Sequence, residues 1–333
     1  MATLYLSEQQ SIVKKRDEYL VVQYAGPEKR KIEVPLIKIS QVVVSGDVTL
    51  TTPALHMLLE AGIEVCFLSM YGQFRGRLSP PVSKNALLRR EQFKASHDPQ
   101  RAILVARACV TGKLENMRTM LLRANRQLQD SAIGEAAITM QQMIQQAPRA
   151  TSIGSLMGME GNGSAAYFNV FGKLLRGSMT FTRRRRRPPT DPVNAMLSLG
   201  YTLLQHQVSS AIQIVGFDPY VGYLHQPRYG RPALALDLME EFRPIITDSM
   251  VLNIINHRIL TEQDFKEELG VVYLKPDARR KFYGKFEERL QEELQHPYFN
   301  YKTDYRRCIE LQARLLGKWL TGEIPAYLPF SVR

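Results

Sequence analysis

A histidine and a group of acidic residues follow one another over a short part of this chain. The segment 216–225 ends in His225, and an apolar stretch soon after it carries three carboxylates, those of Asp237, Glu240 and Glu241. Their spacing of i, i+3 and i+4 predicts that they share one face of a helix. Carboxylates crowded on a partly buried face repel one another unless a cation joins them or some of them are protonated.

An imidazole together with carboxylates suits Mn²⁺, Mg²⁺ or Zn²⁺, and oxygen-rich sets favour the first two ions. Our first hypothesis is therefore that this stretch forms most of a divalent-metal site. The alternative is a surface helix with a solvated acidic edge, next to a histidine that makes ordinary hydrogen bonds.

A further acid, Glu160, lies in a predicted helix among small residues such as Gly161 and Gly163. Small neighbours let another element pack closely beside this carboxylate, so we expect Glu160 to be partly shielded from solvent. Ser164 and Tyr167 follow at i+4 and i+7 on the same predicted face and could orient the site, although a tyrosine on an apolar helix is more often a core residue.

The run of arginines at positions 183–187 ends in two prolines. Five adjacent guanidinium groups cannot all find acidic partners in a core, so the run is expected to be exposed or to lie on a ligand. Arginine suits bidentate contact with phosphate. The alternative is a disordered basic loop.

Composition limits the possible partners and compartment. The chain has 333 residues and a formal net charge of +12, which favours a polyanionic partner. Three widely spaced cysteines predict reduced, buried thiols of a cytoplasmic protein. We find neither a signal-peptide pattern nor an apolar run long enough to cross a membrane, so we expect no membrane partner.

Hydrophobic periodicity predicts an α+β protein, with a small β-rich N-terminal domain followed by a larger all-α domain. Residues 1–82 are predicted to form short strands and one helix. This part of the chain has no cluster of possible ligands, which indicates a scaffold or dimerisation module. Residues 83–97 are predicted to be a linker, and residues 98–333 to be helical. One charge-decorated helix there, which includes Lys113, is predicted to expose its lysine and arginine side chains to solvent.

Four motifs occur in order, at residues 159–161, 187–201, 216–225 and 237–244. They begin with Met-Glu-Gly and end with Asp-Leu-Met-Glu-Glu-Phe-Arg-Pro. Together with the β-rich start and helical remainder, they resemble the CRISPR-associated integrase family, which inserts new spacers into the repeat array and is also described as a metal-dependent DNA endonuclease. The resemblance covers nearly the whole chain.

The resemblance implies that Glu160, His225 and Glu240 are catalytic metal ligands for Mg²⁺ or Mn²⁺, with Asp237 supporting them. It implies a metal-dependent enzyme that hydrolyses or transesterifies phosphodiesters, using a DNA 3′-hydroxyl as nucleophile in integration. We then place the basic residues near the backbone of double-stranded DNA, namely Arg183, Arg184, Arg185, Arg186, Arg187, Arg228 and Arg243.

The resemblance also implies a homodimer through the β domain, and a complex with a small ferredoxin-like subunit of the same adaptation system. Two other functions stay open. One is a non-catalytic DNA-binding scaffold whose acids bind a structural ion, and the other is an RNA-processing nuclease.

Overall fold

The computed structural model describes residues 2–25, 30–81, 85–185, 188–226 and 228–332. The chain forms two compact units. The first comprises Met1–Val82 and a later segment, Tyr273–Glu287, and the second comprises the remainder. The later segment had been expected in the helical domain. It joins the first unit through contacts such as the stacking of Tyr283 on Tyr5, whose ring centres are 4.8 Å apart.

Two four-stranded sheets build the first unit. The strands are β1 Ala2–Leu6, β2 Ser11–Arg16, β3 Tyr19–Gln23, β4 Lys31–Pro35, β5 Ile39–Ser45, β6 Val48–Leu50, β7 Glu64–Leu68 and β8 Phe74–Leu78. One sheet has the order β1-β5-β7-β8, with only its β7–β8 pair antiparallel. The other has the order β4-β3-β2-β6, with only its β2–β6 pair parallel.

The core of the first unit follows from its apolar strands. β5 is buried along nearly its whole length, with Val42 and Val44 essentially inaccessible, as a continuous apolar run predicts. Helix α1, Thr52–Glu60, begins with Pro53 in its first turn and places Leu58 in the same core. Helix α1 is the one helix predicted among the strands of residues 1–82, and it lies in the connection between the parallel strands β5 and β7.

The second unit is mainly helical, as its periodicity predicts. Its helices are α2 Ala86–His97, α3 Pro99–Leu128, α4 Ser131–Gln146, α5 Ile153–Phe171, α6 Pro192–Val215, α7 Ala233–Phe242, α8 Ser249–Asn256 and α10 Tyr305–Leu320. Helix α9, Pro276–Gln291, is divided between the two units after Glu287. Side chains of Asp98, Asp130, Ser152 and Asp191 accept hydrogen bonds from the first backbone amides of α3, α4, α5 and α6.

Three features of this region differ from the sequence-based expectation. Most of the predicted linker, residues 83–97, is helix α2, whose Leu88 and Gln92 are buried. The apolar segment 209–215, which the sequence predicts to be a separate helix, instead continues α6, and Gly216 ends α6 in a left-handed conformation. Two short hairpins also interrupt the predicted all-α region. Their strands are β9 Phe265–Glu268, β10 Val271–Leu274, β11 Glu293–Gln295 and β12 Lys302–Asp304.

The α+β class with N-terminal strands followed by a helical region is nevertheless confirmed. Cys66, Cys109 and Cys308 are free and buried, as expected. Among the described residues, no helix is long and apolar enough to cross a membrane.

Candidate metal centre and nucleic-acid interface

Helices α3, α5 and α7 bring three charged side chains to one point. Lys113 comes from the middle of α3, Glu160 from α5 and Glu240 from α7. The Lys113 ammonium contacts Glu160 Oε1 and lies 2.7 Å from Glu240 Oε2. Ser164, one turn after Glu160, donates a hydrogen bond of 2.8 Å to Glu160 Oε1, so it orients this carboxylate as its spacing suggested.

The burial of Lys113 corrects the sequence-based expectation that the charges of α3 are solvated. Only 5% of its side chain is exposed. It lies on the face of α3 that also carries Cys109 and Asn116, both fully buried. A buried ammonium requires paired charges, and here the two carboxylates provide them.

His225 is held by the buried carboxylate of Asp237. Its Nδ1 lies 2.7 Å from Asp237 Oδ1, and the same carboxylate accepts the backbone N–H groups of Tyr223, Leu224 and His225. Because a carboxylate only accepts hydrogen bonds, Nδ1 carries the proton and a neutral ring has its lone pair on Nε2. That Nε2 lies 3.9 Å from Glu240 Oε1.

Gly222 explains how the 216–225 loop approaches α7 so closely. A Cβ at this position would lie 2.7 Å from the Ala233 backbone carbon and 2.7 Å from Asp237 Oδ2. Such distances are not compatible with a side chain, so glycine is required for Asp237 to reach the amides of the loop.

Glu240 is surrounded by cations. Burial alone would raise its pKa, but Arg243, Lys113 and His225 together lower the pKa of Glu240 to about 2. Arg243 Nε lies 3.2 Å from Glu240 Oε2, and its guanidinium carbon lies 4.7 Å from the centre of the Tyr201 ring. Glu240 is therefore a carboxylate at neutral pH, as a metal ligand must be.

The acid next to it, Glu241, has a different role from the one its spacing suggested. It is fully buried and accepts hydrogen bonds from Tyr327 Oη at 2.6 Å, from Phe330 N at 2.7 Å and from Gln312 Nε2 at 2.9 Å. Burial raises the pKa of Glu241 to about 7, although these hydrogen bonds oppose the shift. The helix thus directs Asp237 and Glu240 to the histidine and Glu241 to the tail of the chain.

The chemistry of these donors fits a divalent cation. Oxygens of Glu160 and Glu240 already contact one cationic atom, and the free nitrogen of His225 faces Glu240. Two carboxylates and one imidazole suit Mg²⁺ or Mn²⁺. Within the described ranges, no three His, Cys, Asp or Glu side chains stand in a ready-made metal-binding arrangement. The position between the two carboxylates is taken by the Lys113 ammonium.

The arginine run is organised by a buried asparagine of α6 that the sequence analysis did not single out. Asn194 Oδ1 accepts from Arg184 Nη1 at 2.7 Å and from Arg185 N at 2.8 Å, and its Nδ2 donates to Arg183 O at 2.9 Å. Its only sequence signal was an amide in the first turn of a largely apolar helix. Arg186 and Arg187 lie outside the described residues.

The predicted DNA-binding arginines have different environments. Arg183, Arg185 and Arg228 are exposed. Arg184 also bonds Ser198 and lies over the Tyr201 ring at 5.3 Å. Arg243 has only 14% of its side chain exposed and belongs to the carboxylate cluster. An open cavity of about 260 Å³ is lined by Ser164, Ala165, Phe168, Asn169, Arg183 and Arg184.

A model of the CRISPR associated protein Cas1 family matches residues 4–288. The chain belongs to the Cas1 family. It is 38% identical to "CRISPR-associated endonuclease Cas1 3" of Thermus thermophilus, over all of this chain and 98% of that protein. It is 42% identical to a "Cas4/endonuclease Cas1 fusion" of Geobacter sulfurreducens, over 99% of this chain, and it spans 60% of the length of that relative.

Solved Cas1 structures share the fold. A Cas1 protein from Thermotoga maritima superposes with a TM-score of 0.83 at 26% identity, covering both chains completely. A "Cas6-RT-Cas1--Cas2 complex" contains a chain that matches with a TM-score of 0.80 at 27% identity, over 98% of this chain and 36% of that one. The predicted resemblance to the family that adds CRISPR spacers is confirmed.

Proposed function

We propose that this Cas1-family chain is a metal-dependent DNA integrase and endonuclease that inserts DNA fragments into a CRISPR array as new spacers. The observation that best supports this function is the convergence of Glu160 and Glu240 on one cationic atom, with His225 Nε2 facing Glu240. We assign Glu160, His225 and Glu240 as ligands of Mg²⁺ or Mn²⁺. When bound, such an ion supplies charge stabilisation at a phosphodiester and at its leaving 3′-oxygen.

The protein's own residues orient the metal ligands, bind DNA phosphates and neutralise their charge. Asp237 keeps the proton of His225 on Nδ1, which leaves Nε2 available as a ligand. Arg183 and Arg185 are exposed, and Arg183 lines the same cavity as Ser164, so we assign both arginines to contacts with DNA phosphates. Positioning of a fragment 3′-hydroxyl against a repeat phosphodiester is then the main catalytic contribution of the protein, as in other phosphoryl transfers.

We further propose that the chain dimerises through its β-rich unit and acts with a small ferredoxin-like adaptation subunit. The solved assembly of a structural neighbour, described as a Cas1–Cas2 complex, supports an assembly of this kind.

The test is strand transfer of a splayed-end duplex into a repeat-containing plasmid, with the partner subunit and Mn²⁺. Glu160→Gln and His225→Ala should each abolish half-site products while DNA binding persists, because each removes a ligand but no exposed cation. The matched control is Glu135→Gln, an exposed carboxylate on α4. Full transfer by either site variant would contradict the ligand assignment.

A second function, a non-catalytic DNA-binding scaffold, has one observation in its favour. Lys113 pairs with both Glu160 and Glu240, as in a purely structural ion-pair cluster. A chelator separates the two functions, since the scaffold would show no chelator-sensitive product at any Mn²⁺ concentration.

A further inference from the structure

Resting on the proposed function, we infer that Lys113 is a displaceable internal cation that occupies the metal position between Glu160 and Glu240. A divalent ion would then have to break at least one Lys113 ion pair in order to bind. This is a role for a residue of α3, outside the four motifs that carry the family resemblance.

The Lys113 ammonium lies between two of the assigned metal ligands. Its Nζ contacts Glu160 Oε1 and lies 2.7 Å from Glu240 Oε2, so one atom bridges two carboxylates from different helices. These are two of the three residues assigned as metal ligands. A cation paired with both carboxylates would compete with a divalent ion for them.

The Lys113–Glu240 ion pair is almost completely buried. The side chains of Lys113 and Glu240 are 5% and 6% exposed, whereas that of Glu160 is 24% exposed. Two carboxylates brought this close without a cation would repel each other strongly in a poorly solvated setting. Lys113 therefore keeps the two ligands assembled before a metal ion arrives, and solvent reaches the cluster on the Glu160 side.

A divalent ion would add positive charge to a carboxylate that already has two cationic neighbours. Glu240 is already paired with Arg243 at 3.2 Å, and Arg243 is held against Tyr201. With a divalent ion added, the cluster would contain the side chains of Lys113 and Arg243 and a metal ion around the same carboxylates. In the part of the chain that the structure describes, no aromatic ring stacks on the Lys113 ammonium as Tyr201 does on Arg243. Because its four-carbon stem is flexible, Lys113 is the group that moves away.

The main test measures Mn²⁺ binding in the absence of DNA by isothermal titration calorimetry. Lys113→Met removes the competing charge and keeps the length of the side chain, so Mn²⁺ should bind about tenfold tighter or more than to the original protein. The matched control is Lys173→Met, which removes a half-exposed ion pair with Asp130 and should leave Mn²⁺ affinity unchanged. Equal or weaker Mn²⁺ binding by folded Lys113→Met would overturn the inference.

A second measurement needs no variant, so it holds even if Lys113→Met fails to fold. Lysines of the original protein are labelled with acetic anhydride, with and without Mn²⁺, and quantified by mass spectrometry. Mn²⁺ should increase labelling of Lys113 severalfold and leave that of Lys173 unchanged. If Lys113 stays protected while Mn²⁺-dependent strand transfer proceeds, the displacement is refuted and the proposed function stands.

Discussion

The Arg243 guanidinium lies over the ring of Tyr201, with its central carbon 4.7 Å from the ring centre. Arg184 lies over the same ring at 5.3 Å. One tyrosine of α6 therefore contacts both an arginine of the basic run and the arginine that is paired with Glu240. Its hydroxyl is fixed at the same time, because it donates a hydrogen bond of 2.5 Å to Asp248 Oδ1.

Substitution of Tyr201 should separate these two functions of its side chain. Tyr201→Phe keeps the ring under both guanidinium groups, so strand transfer should stay within about threefold, with a stability loss of about 1 kcal/mol from the missing hydrogen bond. Tyr201→Leu also removes the cation–π contacts, each about 0.5–2 kcal/mol, and should lower transfer by tenfold or more. Equal rates for the two variants in a strand-transfer assay would show that the ring is not needed.

Removal of the exposed arginines should make DNA binding less sensitive to salt. Each phosphate contact contributes about 0.9 to the slope of log affinity against log salt, so Arg183→Ala with Arg185→Ala should reduce the slope by roughly 1–2. Fluorescence anisotropy over a salt series measures this slope. Arg184 is left intact because it bonds Asn194 and Ser198.

The control for this series is Arg314→Ala, an arginine of α10 that pairs with Glu310 and is half exposed. It should leave the slope unchanged. A slope that falls equally in the control, or does not fall in the double variant, would mean that the basic run does not touch phosphate.

Gly222→Ala should damage the histidine loop. The new Cβ would meet the Ala233 backbone and the Asp237 carboxylate, so we expect a loss of about 1–3 kcal/mol in the free energy of unfolding and weaker Mn²⁺ binding. Gly284→Ala is the matched control, since its Cβ has open space at an exposed position of helix α9, and it should stabilise by about 0.5–1 kcal/mol. Chemical denaturation and Mn²⁺ titration of both variants check this. If Gly222→Ala changes neither the free energy of unfolding nor Mn²⁺ binding, the close approach of the loop to α7 is refuted.

Asp248 should make stability depend on pH. Burial raises the pKa of Asp248 to about 6, although hydrogen bonds from Tyr201 and Tyr167 oppose this shift. A carboxyl group with a raised pKa contributes stability below its ordinary value near 3.8 and loses this contribution as pH rises through about 6. Between pH 4 and 7, the original protein should therefore lose on the order of 3 kcal/mol relative to Asp248→Asn.

Denaturant unfolding of both proteins across this pH range measures the difference. The slope with pH is the diagnostic quantity, because the buried amide of asparagine adds an offset that does not vary with pH. Parallel stability curves would show that Asp248 titrates normally.

The sequence predicted those features that periodicity and local motifs encode. The buried run of β5 and the meeting of His225 with Asp237 and Glu240 both follow from local patterns. Lys113 was misassigned because helical periodicity cannot show which cation on a long helix will face the acids of another helix. Likewise, Asn194 looked like an isolated polar residue, since the backbone groups it bonds belong to a loop with no regular pattern.

Asp237 links the conformation of the 216–225 loop to the tautomer of the His225 imidazole. One carboxylate accepts three successive amides and the Nδ1 proton of His225, so the loop cannot adopt its conformation without also selecting the imidazole tautomer. Loss of Asp237 would therefore be a compound defect that excess Mn²⁺ could not rescue, because both the path of the chain and the nitrogen that faces Glu240 would be undefined.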